Sequence, residues 1–314
     1  MPKSKKPPTF RGSDFAMRYE QGRWSEDRII EAICASGSYW AFPYGRSGIG
    51  PSDKNKIAEY WAKYIEAESI GKRPDILVIR CSDLERLGNP EERFGDTTLA
   101  TDQDLAAYLE VAVCGIEAEN SLWNAAKMPD YRKTELLKIR LDFVAPTVIV
   151  KREDETELLA WQNAFSIPIC VVHAFFDRAY IITLDTILNA TKSIQATFDG
   201  EGVPRVGLED LDRKSRKKAG ENLQRQLGVF IKEQSFADSR SGTSTKKTIY
   251  RAHYTIAQEF GIVPDDQQPQ AIPAVIEEAN GKIMSYVRFK GGKLEISQKA
   301  IQFFNQLAQR LSGS

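Results

Sequence analysis

The sequence is poor in the groups that hold soft metals. Its 314 residues include four cysteines and two histidines. Cys34, Cys81, Cys114 and Cys170 are scattered, with no CxxC pair. A zinc cluster is therefore not expected, and reduced thiols in a cytoplasmic setting are. No run approaches the ~18 apolar residues of a membrane-spanning helix. The basic start, MPKSKKPPTF, is not followed by an apolar stretch, so a secretory leader is not expected. No internal repeat is visible. Net charge is lacking too, since 43 Lys and Arg meet 43 Asp and Glu. A zero sum argues against indiscriminate coating of nucleic acid, but it says nothing of where the charges lie.

Resolved along the chain, the charges separate. Residues 213–254 carry eleven cations against three acids, and residues 81–120 carry ten acids against two cations. A basic stretch of that density can hold a phosphate backbone. A carboxylate-rich stretch can hold a hard cation. Both can equally be solvated faces.

Hydrophobic content of 42% and charged content of 27% are ordinary for a globular chain. At roughly 150 residues per domain the length fits one large domain or two modest ones. A soft boundary is expected near residue 195. It would separate a core with an N-terminal arm (1–195) from a basic region (196–314), and the two can share one core. Helices are predicted over 26–35, 55–69, 102–115, 121–127, 154–165, 249–261 and 299–311 from three- and four-residue apolar spacing. Residues 36–54, rich in Gly, Ser, Pro and aromatics, are predicted as a loop. Strands are predicted within 71–80, 146–151, 167–176 and 178–187, and a hairpin over 282–297 turning at Gly291-Gly292. Residues 146–176 read as a βαβ unit with its two strands parallel. The fold class is α/β, with a mixed sheet flanked by helices and a C-terminal α+β extension.

Chemistry is expected where acids gather on this scaffold. Pro74-Asp75 heads one strand, and Glu117-Ala118-Glu119 follows 42 residues after Asp75. If 116–121 is extended, Glu117 and Glu119 share a face, because strand side chains alternate. If 102–121 is one helix, they lie about 200° apart and the site fails. Convergent carboxylates with water would suit Mg²⁺.

Pro74-Asp75 followed by Glu117-Ala118-Glu119 resembles the PD-(D/E)xK nuclease pattern, in the variant with Glu at the Lys position. The blocks SYWAFPYGRSGIGPSDK, KRPDILVIR, IEAENSLWNAAKMPDY, PTVIVKRED and IPICVVHAFFDRAYIITLD run in order over roughly residues 36–190. Together they resemble the AccI family of type II restriction endonucleases. The resemblance implies a homodimer that uses Mg²⁺ to cut double-stranded DNA at a short, near-palindromic site. It implies Asp75 and Glu117 as metal ligands and Glu119 near the attacking water. Lys127 is expected to supply a displaced cation, with Lys151 a weaker candidate. DNA contacts are expected from Arg213, Lys214, Arg216, Lys217 and Lys218, from Arg240, Lys246 and Lys247, and from Arg46 in the glycine-rich loop. His173 is expected as a satisfied core histidine. Trp40, Trp61, Trp123 and Trp161 are expected in the core, and His253 on the surface of a basic helix. A repair or recombination nuclease, or a DNA-binding module without catalysis, is the alternative.

Overall fold

Ile76, Leu77, Val78 and Ile79 are consecutive apolar residues, and all are fully buried. A strand covered on both faces needs such a run. The computed structural model describes residues 12–45, 70–199, 213–237, 244–277 and 283–312. In chain order the helices are α1 (Gly12–Ala35), α2 (Cys81–Leu87), α3 (Pro90–Phe94), α4 (Ala106–Glu110), α5 (Arg152–Phe165), α6 (Leu184–Asp199), α7 (Arg213–Leu227) and α8 (Gln298–Ser312). The first six strands are β1 (Tyr39–Pro43), β2 (Ile76–Arg80), β3 (Cys114–Asn120), β4 (Thr147–Lys151), β5 (Ile169–Ala174) and β6 (Arg178–Thr183). The remaining six are β7 (Val229–Ala237), β8 (Ser244–His253), β9 (Gln258–Ile262), β10 (Gln270–Glu277), β11 (Ile283–Lys290) and β12 (Glu295–Ile296).

A seven-stranded sheet runs β1-β2-β3-β5-β6-β9-β12. Within it β3 and β5 are parallel and the other neighbours antiparallel. A three-stranded sheet, β4-β8-β7, and a ribbon, β10-β11, complete the strands. This is a mixed α/β fold. Alternation sorts the side chains of the large sheet into two cores. Ile76, Val78, Ile116, Cys170 and Val172 pack against Ile29 and Ile33 of α1 and Phe304 of α8. Leu77, Ile79, Ile169 and Val171 pack against Trp161 of α5, Ile187 of α6, and Val148 and Tyr250 of the smaller sheet. Strands from both sides of residue 195 belong to the large sheet.

Several expectations need correction. Helix α1 begins at Gly12, well before residue 26. Residues 39–43, expected as loop, form β1 along the edge of β2. The helix expected over 102–115 shortens to α4. Asp102 is taken by Arg73 at 2.6 Å and Asp104 accepts from the Thr101 N–H at 2.9 Å, so the helix begins after both. Residues 121–127 yield only a 3-10 turn at Ala125–Lys127, anchored by Ala125 N–H donating to Asp177 at 2.6 Å. The expected β4–β5 pairing does not form. β4 pairs with β8, and the parallel partner of β5 is β3, so β4 and α5 lie within the β3–β5 crossover. Residues 249–261 are β8 and β9, not a helix. Residues 249–253 of β8 lie between β4 and β7 and are buried on both faces, which produces an apolar clustering that mimics a helical period. Residues 283–290 pair with β10 rather than folding back on residues 293–297. Gly291 and Gly292, both at φ 76°, redirect the chain so that β12 joins β9.

Trp161 is fully buried and Trp40 packs against the core, but Trp123 is 53% exposed where the chain leaves β3. His253 is buried in β8 rather than on a helix surface. The ring of His173 is buried and stacked on Phe175 at 4.7 Å, yet neither ring nitrogen has a hydrogen-bond partner. The helix expected over 55–69, with Trp61, and the residues Arg46 and Arg240 lie outside the described residues.

Candidate active site

Each residue of Lys72-Arg73-Pro74-Asp75 is held by a different partner. The Lys72 ammonium contacts Glu117 and lies 3.5 Å from Asp154. Arg73 is buried, pairs with Asp102, and stacks over the Tyr44 ring at 4.7 Å. The Tyr44 hydroxyl donates to Asp102 at 2.6 Å and accepts from Trp161 at 3.0 Å. Pro74 lies across Gly115, where a Cβ would meet its ring at 2.4 Å. On the other side the chain at Gly45 passes so close that a Cβ would be 2.7 Å from the Asp75 Cα. The N–H groups of Tyr44 and Gly45 donate to the Asp75 carbonyl at 2.8 and 3.0 Å. Glycine at 45 and 115 is thus required by close approach of backbone and ring.

Residues 114–120 are extended, which resolves the sequence ambiguity. β2 pairs with β3 through Ile76↔Ile116, and the next residues along are Asp75 and Glu117. The Asp75 carboxylate accepts from the Ala118 N–H at 2.8 Å. β3 then continues along β5 alone, carrying Glu119 two residues on and on the same face as Glu117. Lys151, the last residue of β4, reaches across from the smaller sheet to Glu119 at 2.5 Å. The structure therefore brings Asp75, Glu117 and Glu119 to one place and adds Lys72 and Lys151 to them.

The cluster is short of positive charge. Burial pushes the Asp75 carboxyl up to about 7, the charge of Glu26 on α1 adds to this, and Lys72 with the Ala118 N–H pulls it back. Burial, then Asp75, pushes Glu117 up to about 8, against the pull of Lys72. Burial alone would lower Lys72, but Glu117, Asp75 and Asp154 together raise it, so the ammonium stays charged. Burial likewise opposes Lys151, and Glu119 prevails and raises it. Two buried carboxylates thus share one ammonium. One Glu117 oxygen, Oε2, is buried with no hydrogen-bond partner. Among the described residues no group of three His, Cys, Asp or Glu side chains is arranged to hold a metal ion. The oxygens of Asp75 and Glu117 remain as a two-carboxylate set.

Lys127 is exposed on its 3-10 turn, and no ion pair joins it to the carboxylates. Lys151, the weaker sequence candidate, is the lysine that reaches them. Lys72 and Glu26 were not expected in the site. A basic residue three positions before the strand acid was a usable signal for Lys72. The contribution of Glu26 depends on how α1 packs and leaves no local pattern. Of the expected DNA contacts, Lys214, Lys217 and Lys218 are exposed on α7, Arg216 is half-buried there, and Arg213 begins that helix. Lys246 is exposed on β8, and Lys247 ion-pairs with Glu153 at the start of α5.

A mixed sheet flanked by helices, with paired acids where two of its strands meet, is a nuclease-like α/β fold. Residues 1–142 match the model of the AccI restriction endonuclease family. The matched part contains β1 to β3 with Asp75, Glu117 and Glu119 and ends before β4. The chain matches no curated protein and no solved structure. No described helix is long and apolar enough to cross a membrane.

Proposed function

We propose that the protein is a Mg²⁺-dependent type II restriction endonuclease. It cuts both strands of DNA at a short, near-palindromic site, and it acts as a homodimer whose two-fold symmetry matches that of the site. The observation that carries this reading is the convergence of Asp75 and Glu117 from adjacent strands, with Glu119 beside them. The residues fit a hard divalent ion. The donors are oxygens alone, Glu117 Oε2 is buried and unpartnered, and Mg²⁺ is commonly held by one or two carboxylates together with waters and substrate phosphate.

Asp75 and Glu117 would hold the ion, which when bound supplies Lewis-acid polarisation of the phosphodiester and a more acidic water. The protein's own residues do the rest. The Ala118 N–H fixes one Asp75 oxygen, so that carboxylate has little freedom to turn. Glu119 accepts a hydrogen bond from Lys151 and is oriented by it to receive a proton from the attacking water. The Lys151 ammonium offsets charge on the phosphoryl oxygens as they become more negative. Lys72 favours the ionised form of Glu117, opposing burial and Asp75, which favour its proton. In-line attack leaves a 5′-phosphate and a 3′-hydroxyl.

Incubation of plasmid DNA with and without Mg²⁺ tests the reading. Discrete fragments with Mg²⁺ alone support it. Nicking confined to unusual DNA structures points to a repair nuclease, and binding without cutting to a non-catalytic module.

A further inference from the structure

The smaller sheet does not stop where β4 stops. Lys151 lies opposite Ile249 of β8. β7 and β8 stay paired for five further positions, from Glu233↔Thr248 to Ala237↔Ser244, with no third strand among the described residues. At about 3.4 Å per residue this is a two-stranded ribbon roughly 17 Å long. It leaves the body beside the carboxylates, because the residue at its root, Lys151, is the one on Glu119.

A bare two-stranded ribbon gains little stability on its own in water, and its open edges invite pairing with other chains. Apart from Phe236 and Ala237, the residues of this one are polar. Lys232, Glu233, Gln234 and Lys246 are exposed. Register puts Lys232, Gln234 and Lys247 on one face and Lys246 on the other. At its root the ribbon is tied to the site through the first turn of α5. There Glu153 holds Lys247, and the next residue, Asp154, holds Lys72. The chain turns back at Gly228, and Gln224 accepts from the Ile231 N–H at 2.9 Å, so α7 runs alongside β7 with its basic first turns toward the ribbon end.

We propose that the β7–β8 ribbon enters the major groove of duplex DNA and reads bases next to the cut. The inference rests on the nuclease reading. A groove about 12 Å wide admits a two-stranded ribbon. Gln234 matches the donor and acceptor pair on an adenine edge, and Lys232 the acceptors of guanine. Lys246, on the opposite face, and α7 meet phosphates, which positions the protein without reading sequence. A phosphate near Lys247 competes with Glu153 for it, so docking is felt at the α5 turn that also holds Lys72.

The test is Lys232→Ala/Gln234→Ala, incubated with genomic DNA and Mg²⁺, with the cut ends sequenced and melting measured in parallel. Both side chains are exposed, so melting is expected to be unchanged. Cut sites lose their preference at one or two base positions. Cleavage at wild-type sites falls about 10- to 100-fold relative to other DNA. Unchanged cut sites cut at the wild-type rate overturn the proposal. Should the double variant unfold, Gln234→Glu replaces it and is judged by the same two outcomes. Wild-type protein that leaves DNA intact counts against the nuclease reading, and gel retardation of duplex DNA then decides about the ribbon. Retardation by the wild type that is lost in Lys232→Ala/Gln234→Ala/Lys246→Ala supports the ribbon. Equal retardation by both, or none by the wild type, overturns it.

Discussion

Residues 81–120 and residues 213–254 carry charges of equal size and opposite sign, and the protein uses them differently. Several acids of the first stretch have local structural work. Asp96 caps a turn by accepting from the Thr98 N–H at 3.0 Å, Asp104 does the same for Thr101, and Asp102 pairs with Arg73. Only Glu117 and Glu119 join Asp75 in the site. The cations of the second stretch mostly face solvent, as at Lys214, Lys217, Lys218, Lys232 and Lys246, with Arg251 the buried exception. A few buried acids therefore matter more than the number of acids around them. On the basic side the proposed role needs exposure, because a phosphate would have to reach the cation.

The sharpest way to break this comparison is to remove a buried acid. Glu117→Ala is expected to lower cutting by at least about 10³-fold while leaving duplex binding intact, since it would remove a proposed ligand and not a contact surface. Full plasmid cleavage by that variant would sink the site. Next come the two lysines. Lys151→Ala is expected to slow single-turnover cleavage about 100-fold, and Lys127→Ala to leave it near the wild-type rate. The reverse order would restore Lys127 as the displaced cation.

A smaller effect is expected at Gly115→Ala, whose Cβ must displace the Pro74 ring. Overpacking of this kind costs about 1–3 kcal/mol, read as a lower denaturant midpoint together with slower cutting. A stable, fully active variant would show that Pro74 gives way freely.

The charge deficit itself has a pH signature. Asp75 and Glu117 hold protons to higher pH in the folded state than in the unfolded one. Stability from such groups is fully present below their unfolded values near pH 4 and is lost as pH rises through about 7 to 8. Without metal, the melting temperature is expected to fall between pH 5 and pH 8.5, and to fall less in Glu117→Gln. The gap between the two should widen by at least about 2 °C. His173 and His253, lowered to about 3 and 4 chiefly by burial, act in the opposite sense. Their contribution is lost only as pH drops below about 6.5, and it is common to both proteins. A constant gap breaks the idea that the acids lack a cation. The smallest effect is on the basic side. Lys217→Ala is expected to reduce the salt slope of DNA binding by about one, measured by titration at several salt concentrations.

The apolar runs at 76–80, 147–151 and 169–174 were legible because burial on both faces demands continuous hydrophobic residues. So were Asp75 and the two glutamates, whose spacing is local. The failures share a cause, which is pairing between strands distant in sequence. β1 is five residues set among Gly and Ser, and only its place along β2 makes it a strand. β4 looked like half of a βαβ pair until β8, about a hundred residues later, proved to be its partner. Lys151 became a site residue through that same displacement, because the smaller sheet carries it over to β3.

The fixing of Pro74-Asp75 between Gly45 and Gly115 has a consequence for timing. Ordering a backbone residue costs about 1–2 kcal/mol of conformational entropy, and here that loss is taken when the chain folds, before any DNA is present. The carboxylates then wait in position, so a bound duplex meets no slow ordering step at the acids. A reactive centre that is always assembled cannot discriminate between sequences by assembling. On the proposed function, discrimination would have to come from outside it, at whatever holds the correct duplex long enough for water to attack.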